Sequence, residues 1–152
     1  MAKETYNLYG LVPAYPDKAK IEYYPVATTQ TLAKGDPVIL SSGQIAVAVS
    51  NSSAEICGVM AQASASAAAG TLVAVYDDPD TVFFARASAD ASGVAIGAEL
   101  DLAGTTGAFV VNVAGSTQDL FTFMGVKAGD DNSEVGAHLK VKINKHAFAD
   151  QS

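Results

Sequence analysis

The chain has 152 residues, a formal net charge of −7 and a single cysteine, Cys57. One domain of this length buries about 70% of the surface that its unfolded chain exposes, and the lone cysteine excludes an internal disulfide and a multi-cysteine metal site. The acidic balance disfavours nucleic acid as a partner, no apolar run reaches the roughly 20 residues of a membrane span, and the polar first residues lack the pattern of a signal peptide.

Residues 1–25 differ in composition from the rest of the chain. They contain five of the six tyrosines and three of the five prolines. Proline fixes φ and removes a backbone donor, so a helix is disfavoured here. We expect an extended N-terminal arm over residues 1–25, whose tyrosines offer large contact areas for a protein interface. The alternative is that the arm folds back on the body of the same chain and seals one end.

From residue 36 onward, short apolar runs alternate with turn residues. The clearest run covers residues 138–144, where Leu139, Val141 and Ile143 fall on one face and His138 falls on the face we expect to be solvated. Similar runs cover residues 44–49, 71–76, 81–87, 108–113 and 119–126. This spacing predicts an all-β fold, a compact antiparallel β-barrel or sandwich. The alanine-rich residues 61–69 are equally compatible with a surface loop or one short helix.

A sequence pattern of glycines and alternating apolar residues occurs twice. The first copy occupies residues 35–40, 56–60 and 70–75, and the second occupies residues 97–102, 123–127 and 136–141. Repetition at fixed spacing indicates one structural unit used two times. We therefore expect a single domain over residues 26–152, built from two similar halves at about residues 30–87 and 92–145.

The sequence offers little catalytic chemistry. His138 and His146 have no nucleophile or carboxylate motif beside them. Cys57 stands between apolar neighbours, which is the setting of an inert core thiol, and the glycines do not form a phosphate-binding loop. We therefore expect no enzyme activity, no catalytic residues and no cofactor.

Two acidic clusters contain carboxylate oxygens of the kind that bind calcium. Asp77, Asp78 and Asp80 flank Pro79, and a second cluster covers residues 130–134. Neither has the ligand spacing of a calcium-binding loop, and aspartates are common in hairpin turns. The sequence therefore predicts no metal site. Asn51 begins a glycosylation sequon, but nothing in the sequence indicates a secretory route.

The first copy of the repeat resembles a known family. The order Leu32-Ala33-Lys34-Gly35-Asp36-Pro37-Val38-Ile39-Leu40, then Ile56-Cys57-Gly58-Val59-Met60, then Gly70-Thr71-Leu72-Val73-Ala74-Val75-Tyr76 is similar to that of bacteriophage head decoration proteins, also called capsid cement proteins. The resemblance covers about residues 30–85, and residues 95–144 repeat the order less faithfully. Its motifs consist of turn and core positions, which identify a fold more directly than a role.

The resemblance implies a virion structural protein that is made in the bacterial cytoplasm and added to the outer surface of the capsid. It implies the phage major capsid protein and further copies of this chain as partners, with a trimer favoured over a dimer. Composition, rather than the resemblance, suggests the contact residues, which are Tyr6, Leu8, Tyr9, Leu11, Tyr15, Tyr23 and Tyr24. A carbohydrate- or receptor-binding β-sandwich module on a virion surface is the alternative function.

Overall fold

The structure is a computed structural model of the chain, and it describes residues 9–49, 55–114, 118–126 and 137–144. These residues contain short β-strands and one 3-10 helix, Pro16–Lys18, between the first two strands. The strands are β1 (Leu11–Pro13), β2 (Ile21–Pro25), β3 (Gln30–Leu32), β4 (Pro37–Ser41), β5 (Gln44–Val47), β6 (Ile56–Met60), β7 (Ser64–Ala67), β8 (Leu72–Tyr76), β9 (Val82–Arg86), β10 (Glu99–Ala103), β11 (Val110–Asn112), β12 (Phe121–Val126) and β13 (His138–Ile143).

The strands form two main antiparallel sheets that pack against each other as in a β-sandwich. The six-stranded sheet has the order β1-β9-β13-β12-β10-β11, and the five-stranded sheet has the order β2-β8-β6-β4-β5. A small third sheet pairs β3 with β7. The all-β prediction is confirmed, and of its two forms the sandwich is correct, since the strands of the described residues close no barrel.

The same strand arrangement occurs in both sheets. In the first, with the order β2-β8-β6-β4-β5, Val26 just after β2 forms an isolated parallel bridge with Ile45 of β5. In the second, with the order β9-β13-β12-β10-β11, Ala87 just after β9 forms an isolated parallel bridge with Val111 of β11. Backbone hydrogen bonds repeat as well, since Ala27 donates to Ile45 at 2.8 Å and Ser88 donates to Val111 at 2.9 Å. The two sheets therefore share this strand order and these hydrogen bonds, and we call the two sets of strands unit 1 (β2 to β8) and unit 2 (β9 to β13).

The unit boundaries differ from the halves that the sequence suggested. Each unit begins one strand earlier than expected, because β2 in unit 1 corresponds to β9 in unit 2. The predicted halves left β2 in the arm and assigned β9 to the first half. The first strand of each unit carries no glycine motif, so the sequence pattern did not reveal it.

The middle motif of the repeat also aligns differently. Met60 donates to Asp36 and accepts from Gly35, while Phe123 donates to Ala98 and accepts from Gly97. Met60 therefore corresponds to Phe123, and Gly58 corresponds to Phe121 instead of Gly125. A Cβ on Gly58 would collide with the Tyr76 carbonyl oxygen, so this glycine meets a packing need of unit 1 that unit 2 does not share.

Residues 9–25 lie within the body of the domain. β1 pairs with β9, and β2 pairs with β8, so this segment supplies one edge strand to each main sheet. Leu11 is only 2% exposed and belongs to the main core. The described part of the predicted arm thus follows the alternative in which it folds back on its own chain. Burial of Leu11 accounts for this, because a free arm would leave that side chain in water.

The core consists of two clusters. The larger cluster joins the two sheets: Ile56 and Val59 of unit 1 pack with unit 2 side chains such as Phe83, Phe121 and Val141. The smaller cluster lies on the opposite face of the five-stranded sheet and includes Val26, Leu32, Val38, Cys57 and Val75. Neither unit therefore buries its apolar residues alone, as expected for a repeat with a shared core.

The predicted runs after residue 36 correspond to β5, β8, β9, β11, β12 and β13. The alanine-rich segment is different, because β7 forms where a loop or helix was expected. Ser64 pairs with Leu32 and Ala67 pairs with Gln30. Pairing with β3 supplies backbone hydrogen bonds, which outweighs the weak helix preference of isolated alanines.

Candidate functional site

Exposed apolar side chains lie along the edge strand β2 and its neighbour β8. Ile21 is 45% exposed, Tyr23 is 62% exposed, and Leu72 on the neighbouring strand β8 is 63% exposed. These side chains lie on one face of the β2–β8 pair, since Pro25 faces Leu72 and Tyr23 faces Ala74 in the register. Exposed apolar groups of this size concentrated on adjacent strands are typical of protein-binding surfaces.

The backbone of β2 leaves hydrogen-bonding groups open on its outer side. Val26 donates to Thr71 at 3.0 Å and accepts from Gly70 at 2.8 Å, so its peptide groups face β8. Because peptide groups alternate along a strand, Glu22 and Tyr24 also face β8, whereas Ile21 and Tyr23 face outward. At its C-terminal end this outer side meets β5, where Val26 bridges Ile45 in parallel, whereas no described residue pairs with it at Ile21 and Tyr23. We call this open part the β2 edge, formed by the backbones of Ile21 and Tyr23.

The edge of β5 and its counterpart β11 are covered by other parts of the chain. At β5, the Gln30 side chain accepts from Val47 at 3.0 Å, and Ala27 donates to Ile45. At β11, Ser88 covers the corresponding positions by donating its N–H to Val111 and accepting from Val113 through its hydroxyl at 3.2 Å. Natural proteins cover strand edges in this way to prevent unwanted pairing.

The edge of β1 is covered in a different way. Leu11 donates its N–H to Gly35 at 2.9 Å, and Pro13 has no N–H to expose. Among the edges of the two main sheets in the described residues, the β2 edge therefore keeps two outward N–H groups, those of Ile21 and Tyr23, open to a partner.

Tyr24 fixes the inner side of β2. Its hydroxyl donates to the Asp77 carboxylate at 2.6 Å. Burial, followed by the hydrogen bond and the negative charge of Asp77, raises the pKa of the Tyr24 hydroxyl well above its usual range. The ring packs against the smaller core cluster. Tyr24 therefore helps to hold β2 against β8, and its hydroxyl donates to a residue of the same chain.

The residues that composition suggested as an interface differ in their exposure to solvent. Tyr9, Tyr15 and Tyr23 are exposed, whereas Leu11 is buried and Tyr24 is half-buried. The Arg86 guanidinium lies 4.7 Å from the centre of the Tyr9 ring, a cation–π contact within the chain. Tyr6 and Leu8 lie outside the described residues. Sequence reasoning missed Ile21 and Leu72, although the alternation of Ile21, Tyr23 and Pro25 is a strand signal.

The acidic turn between β8 and β9 is engaged in internal contacts. Asp78 accepts the N–H of Asp80 at 2.9 Å and lies 3.7 Å from the Lys20 ammonium. Asp80 lies 3.2 Å from the Lys142 ammonium. Within the part of the chain that the structure describes, no group of three or more His, Cys, Asp or Glu side chains could hold a metal ion. The second acidic cluster, residues 130–134, lies outside the described residues, as does the sequon at Asn51.

Two residues considered for catalysis are buried. His138 is 5% exposed, so the prediction that it lies on a solvated face is wrong. β13 is an inner strand between β9 and β12, and His138 is buried on the face opposite to that of Leu139. Burial, with a smaller effect of the Asp77 charge, raises the pKa of the Cys57 thiol to about 12, which keeps it protonated and unreactive at neutral pH. His146 lies outside the described residues.

No protein-family model matches this chain, and no curated protein is significantly similar to it. Among the described residues, the structure has no helix that is both long and apolar enough to cross a membrane. The fold is all-β with two antiparallel sheets, and the surface with the clearest capacity to bind another molecule is the β2 edge together with the exposed side chains of Ile21, Tyr23 and Leu72.

Proposed function

We propose that this protein is a structural protein of a bacteriophage virion that binds the outer surface of the capsid and stabilises it by bridging neighbouring major capsid subunits. The copies act as an oligomer, with a trimer favoured over a dimer. An oligomer that contacts several subunits makes its later contacts intramolecular, which raises avidity about 10²–10⁴-fold above the affinity of one site. Weak single contacts then suffice to clamp a shell.

One observation carries the proposal. Four of the eight large apolar side chains that are exposed in the described residues, Tyr9, Tyr15, Ile21 and Tyr23, lie in the segment that forms the two N-terminal edge strands. Tyrosine-rich exposed segments are typical of protein interfaces. The Gly35-Asp36-Pro37-Val38 order supports the same family by resemblance.

The chemistry of the described side chains supports a binding role over a catalytic one. Asp36 accepts backbone N–H groups from Ala33 and Gly107, both at 2.9 Å, and Asp101 accepts those of Gln118 and Asp119, both at 2.9 Å. The buried carboxylates thus act as acceptors for loop backbone within the fold.

Binding to purified capsid shells tests the proposal. Shells that lack this protein are mixed with it and sedimented, and the bound protein is quantified before and after saturation. We expect saturable binding, greater resistance of decorated shells to heat, and density on the capsid exterior in electron cryomicroscopy. Absence of binding to both unexpanded and expanded shells would overturn the proposal, and binding to cell-surface glycans in its place would favour the receptor-binding alternative.

A further inference from the structure

We infer that the β2 edge accepts an extended strand of a partner protein, which pairs antiparallel with β2 and places a small residue opposite Tyr24, a β-branched residue opposite Tyr23 and a basic residue opposite Glu22. The inference deepens the proposed function and rests on it for the source of the strand, a capsid subunit. The geometry of the edge itself is independent of that source.

The duplication supplies a template for the missing strand. Unit 2 begins with β9, and β1 pairs antiparallel with the outer side of β9 through Leu11 opposite Ala85, Val12 opposite Phe84 and Pro13 opposite Phe83. Unit 1 begins with the corresponding strand β2, whose outer side has no partner among the described residues at Ile21 and Tyr23. A strand on the β2 edge would thus occupy in unit 1 the place that β1 occupies in unit 2.

The hydrogen-bonding groups of the two edges correspond. Ala14 donates to the Val82 carbonyl at 2.8 Å, and Val82 corresponds to Ile21. The open groups of the β2 edge are therefore the N–H and C=O of Ile21 and Tyr23, whereas the C=O of Pro25 faces β5 at the Val26–Ile45 bridge. An incoming strand makes its central pair of hydrogen bonds with Tyr23.

The side chains of β2 define which strand fits. In unit 2, Leu11 lies opposite the small Ala85 and is buried in the core. In unit 1 the residue that corresponds to Ala85 is Tyr24, whose ring already packs against the smaller core cluster, so we expect the incoming residue opposite it to be small. On the other face, Tyr23 and Leu72 are more than 60% exposed, at 62% and 63%, and a β-branched neighbour would cover them.

Charge selects the third position and argues against a second copy. Glu22 is exposed at the edge of a chain with net charge −7, so a lysine or arginine opposite it is attracted. Two β2 strands paired antiparallel around Tyr23 would place the two Glu22 side chains diagonally, at about 7–8 Å, between two acidic chains. A basic partner strand avoids this repulsion.

A synthetic peptide tests the edge without any capsid. The probe is an acetylated and amidated peptide, Thr-Ala-Val-Lys-Val-Thr, whose alanine, valine and lysine match Tyr24, Tyr23 and Glu22. Amide resonances of the ¹⁵N-labelled protein are followed during titration to about 1 mM peptide. We expect saturable shifts and slower hydrogen exchange at the amides of Ile21 and Tyr23. Two control peptides should bind at least about tenfold more weakly. In one, the valine opposite Tyr23 is N-methylated; in the other, glutamate replaces the lysine.

Two results of the titration would overturn the inference. One is that the amides of Ile21 and Tyr23 do not respond to the peptide. The other is that both amides are already protected in the protein alone, with sedimentation showing a dimer or with protection lost when residues 1–8 are removed, because the occupant would then be a second copy or the chain's own N-terminal residues.

Shell binding then tests the source of the strand. Tyr23→Pro removes the outward N–H without removing a bond to β8, and Tyr23→Thr is the matched control that keeps this N–H. We expect Tyr23→Pro to bind shells about tenfold more weakly than Tyr23→Thr. Equal affinity of the two variants would place the shell contact elsewhere and overturn the assignment. Failure of the unmodified protein to bind shells, with peptide binding intact, would overturn the proposed function alone.

Discussion

The carboxylate of Asp36 accepts the backbone N–H of Gly107 at 2.9 Å, although the two residues are 71 positions apart. The same side chain accepts the N–H of Ala33 at 2.9 Å, and it is fully buried. Asp36 belongs to the glycine motif before β4, whereas Gly107 lies in the loop between β10 and β11 of unit 2. One side chain thus fixes a turn of unit 1 and joins it to unit 2.

Replacement of Asp36 should destabilise the protein strongly. In Asp36→Ala, two backbone N–H groups lose their acceptor, and unsatisfied buried donors cost about 2–6 kcal/mol together. We expect the free energy of unfolding, measured by urea denaturation, to fall by that amount. Asp17→Ala, which changes an exposed aspartate of the 3-10 helix, should stay within about 0.5 kcal/mol of the original. Equal stability of the two variants would show that the Asp36 bonds contribute little.

Asp36 should also give stability a specific pH dependence. Burial raises the pKa of its carboxyl group, and hydrogen bonds from Gly107, Ala33 and Thr106 oppose this only in part. A raised pKa in the folded state means that folding favours the protonated form. The contribution of this group is therefore largest at pH values below the unfolded pKa and decreases as the pH rises through the folded pKa. The difference in melting temperature between the original protein and Asp36→Ala, measured from about pH 3 to pH 6, should therefore decrease as the pH rises.

Leu11 distinguishes an integrated strand from a free arm. Truncation of a buried leucine in the main core costs about 2–5 kcal/mol, so Leu11→Ala should lower the midpoint of thermal unfolding markedly. Tyr15→Ala, in the same segment but 53% exposed, is the matched control and should change stability by less than about 0.5 kcal/mol. A free arm would instead make Leu11→Ala as harmless as Tyr15→Ala.

Gly58 should tolerate no side chain. A Cβ at this position would meet the Tyr76 carbonyl oxygen and lie 2.6 Å from a methyl carbon of Val75, so β6 and β8 would have to separate. We expect Gly58→Ala to cost about 1–3 kcal/mol or more. Gly93→Ala is the control, because nothing lies within 4 Å of its added Cβ. Comparison of the two unfolding curves checks this, and similar curves would show that the β6–β8 contact relaxes easily.

Cys57 should report unfolding. The thiol is buried, and its raised pKa, at about 12, leaves very little thiolate at pH 8. Reaction with an aromatic disulfide reagent should therefore be slow in the native protein and fast in urea, with a native rate that follows global unfolding. Rapid labelling without denaturant would indicate local opening of β6.

The sequence predicted the elements in which local pattern and final environment agree. β13 alternates because one of its faces lies in the core, and its Leu139, Val141 and Ile143 are buried as expected. β2 was not recognised, because its tyrosines and its proline resemble those of an arm. The packing of its Tyr24 side chain depends on pairing with β8, which the local sequence does not show. β7 was not recognised either, since alanine and serine carry no strand signal and pairing with β3 decides its conformation.

The candidate site was predictable only in part. Clustering of tyrosines indicated an interface in the N-terminal segment, and Tyr9, Tyr15 and Tyr23 are indeed exposed. Composition could not separate Tyr23 from Tyr24, because adjacent residues of a strand point to opposite faces and the orientation depends on the partner strand. The open edge itself follows from the comparison of β2 with β9, which requires the sheet order of both units.

The face that carries Ile56 and Val59 has a consequence for how such a chain could arise. A polypeptide that contained unit 1 alone would leave these two side chains in water, and it could cover them only by associating with another molecule. Tandem duplication removes the dependence on protein concentration, because the short turn at residues 77–81 keeps the second unit at an effective concentration of about millimolar or higher. In physical terms, the two-unit protein is a covalently linked dimer of units, in which the backbone replaces the association step.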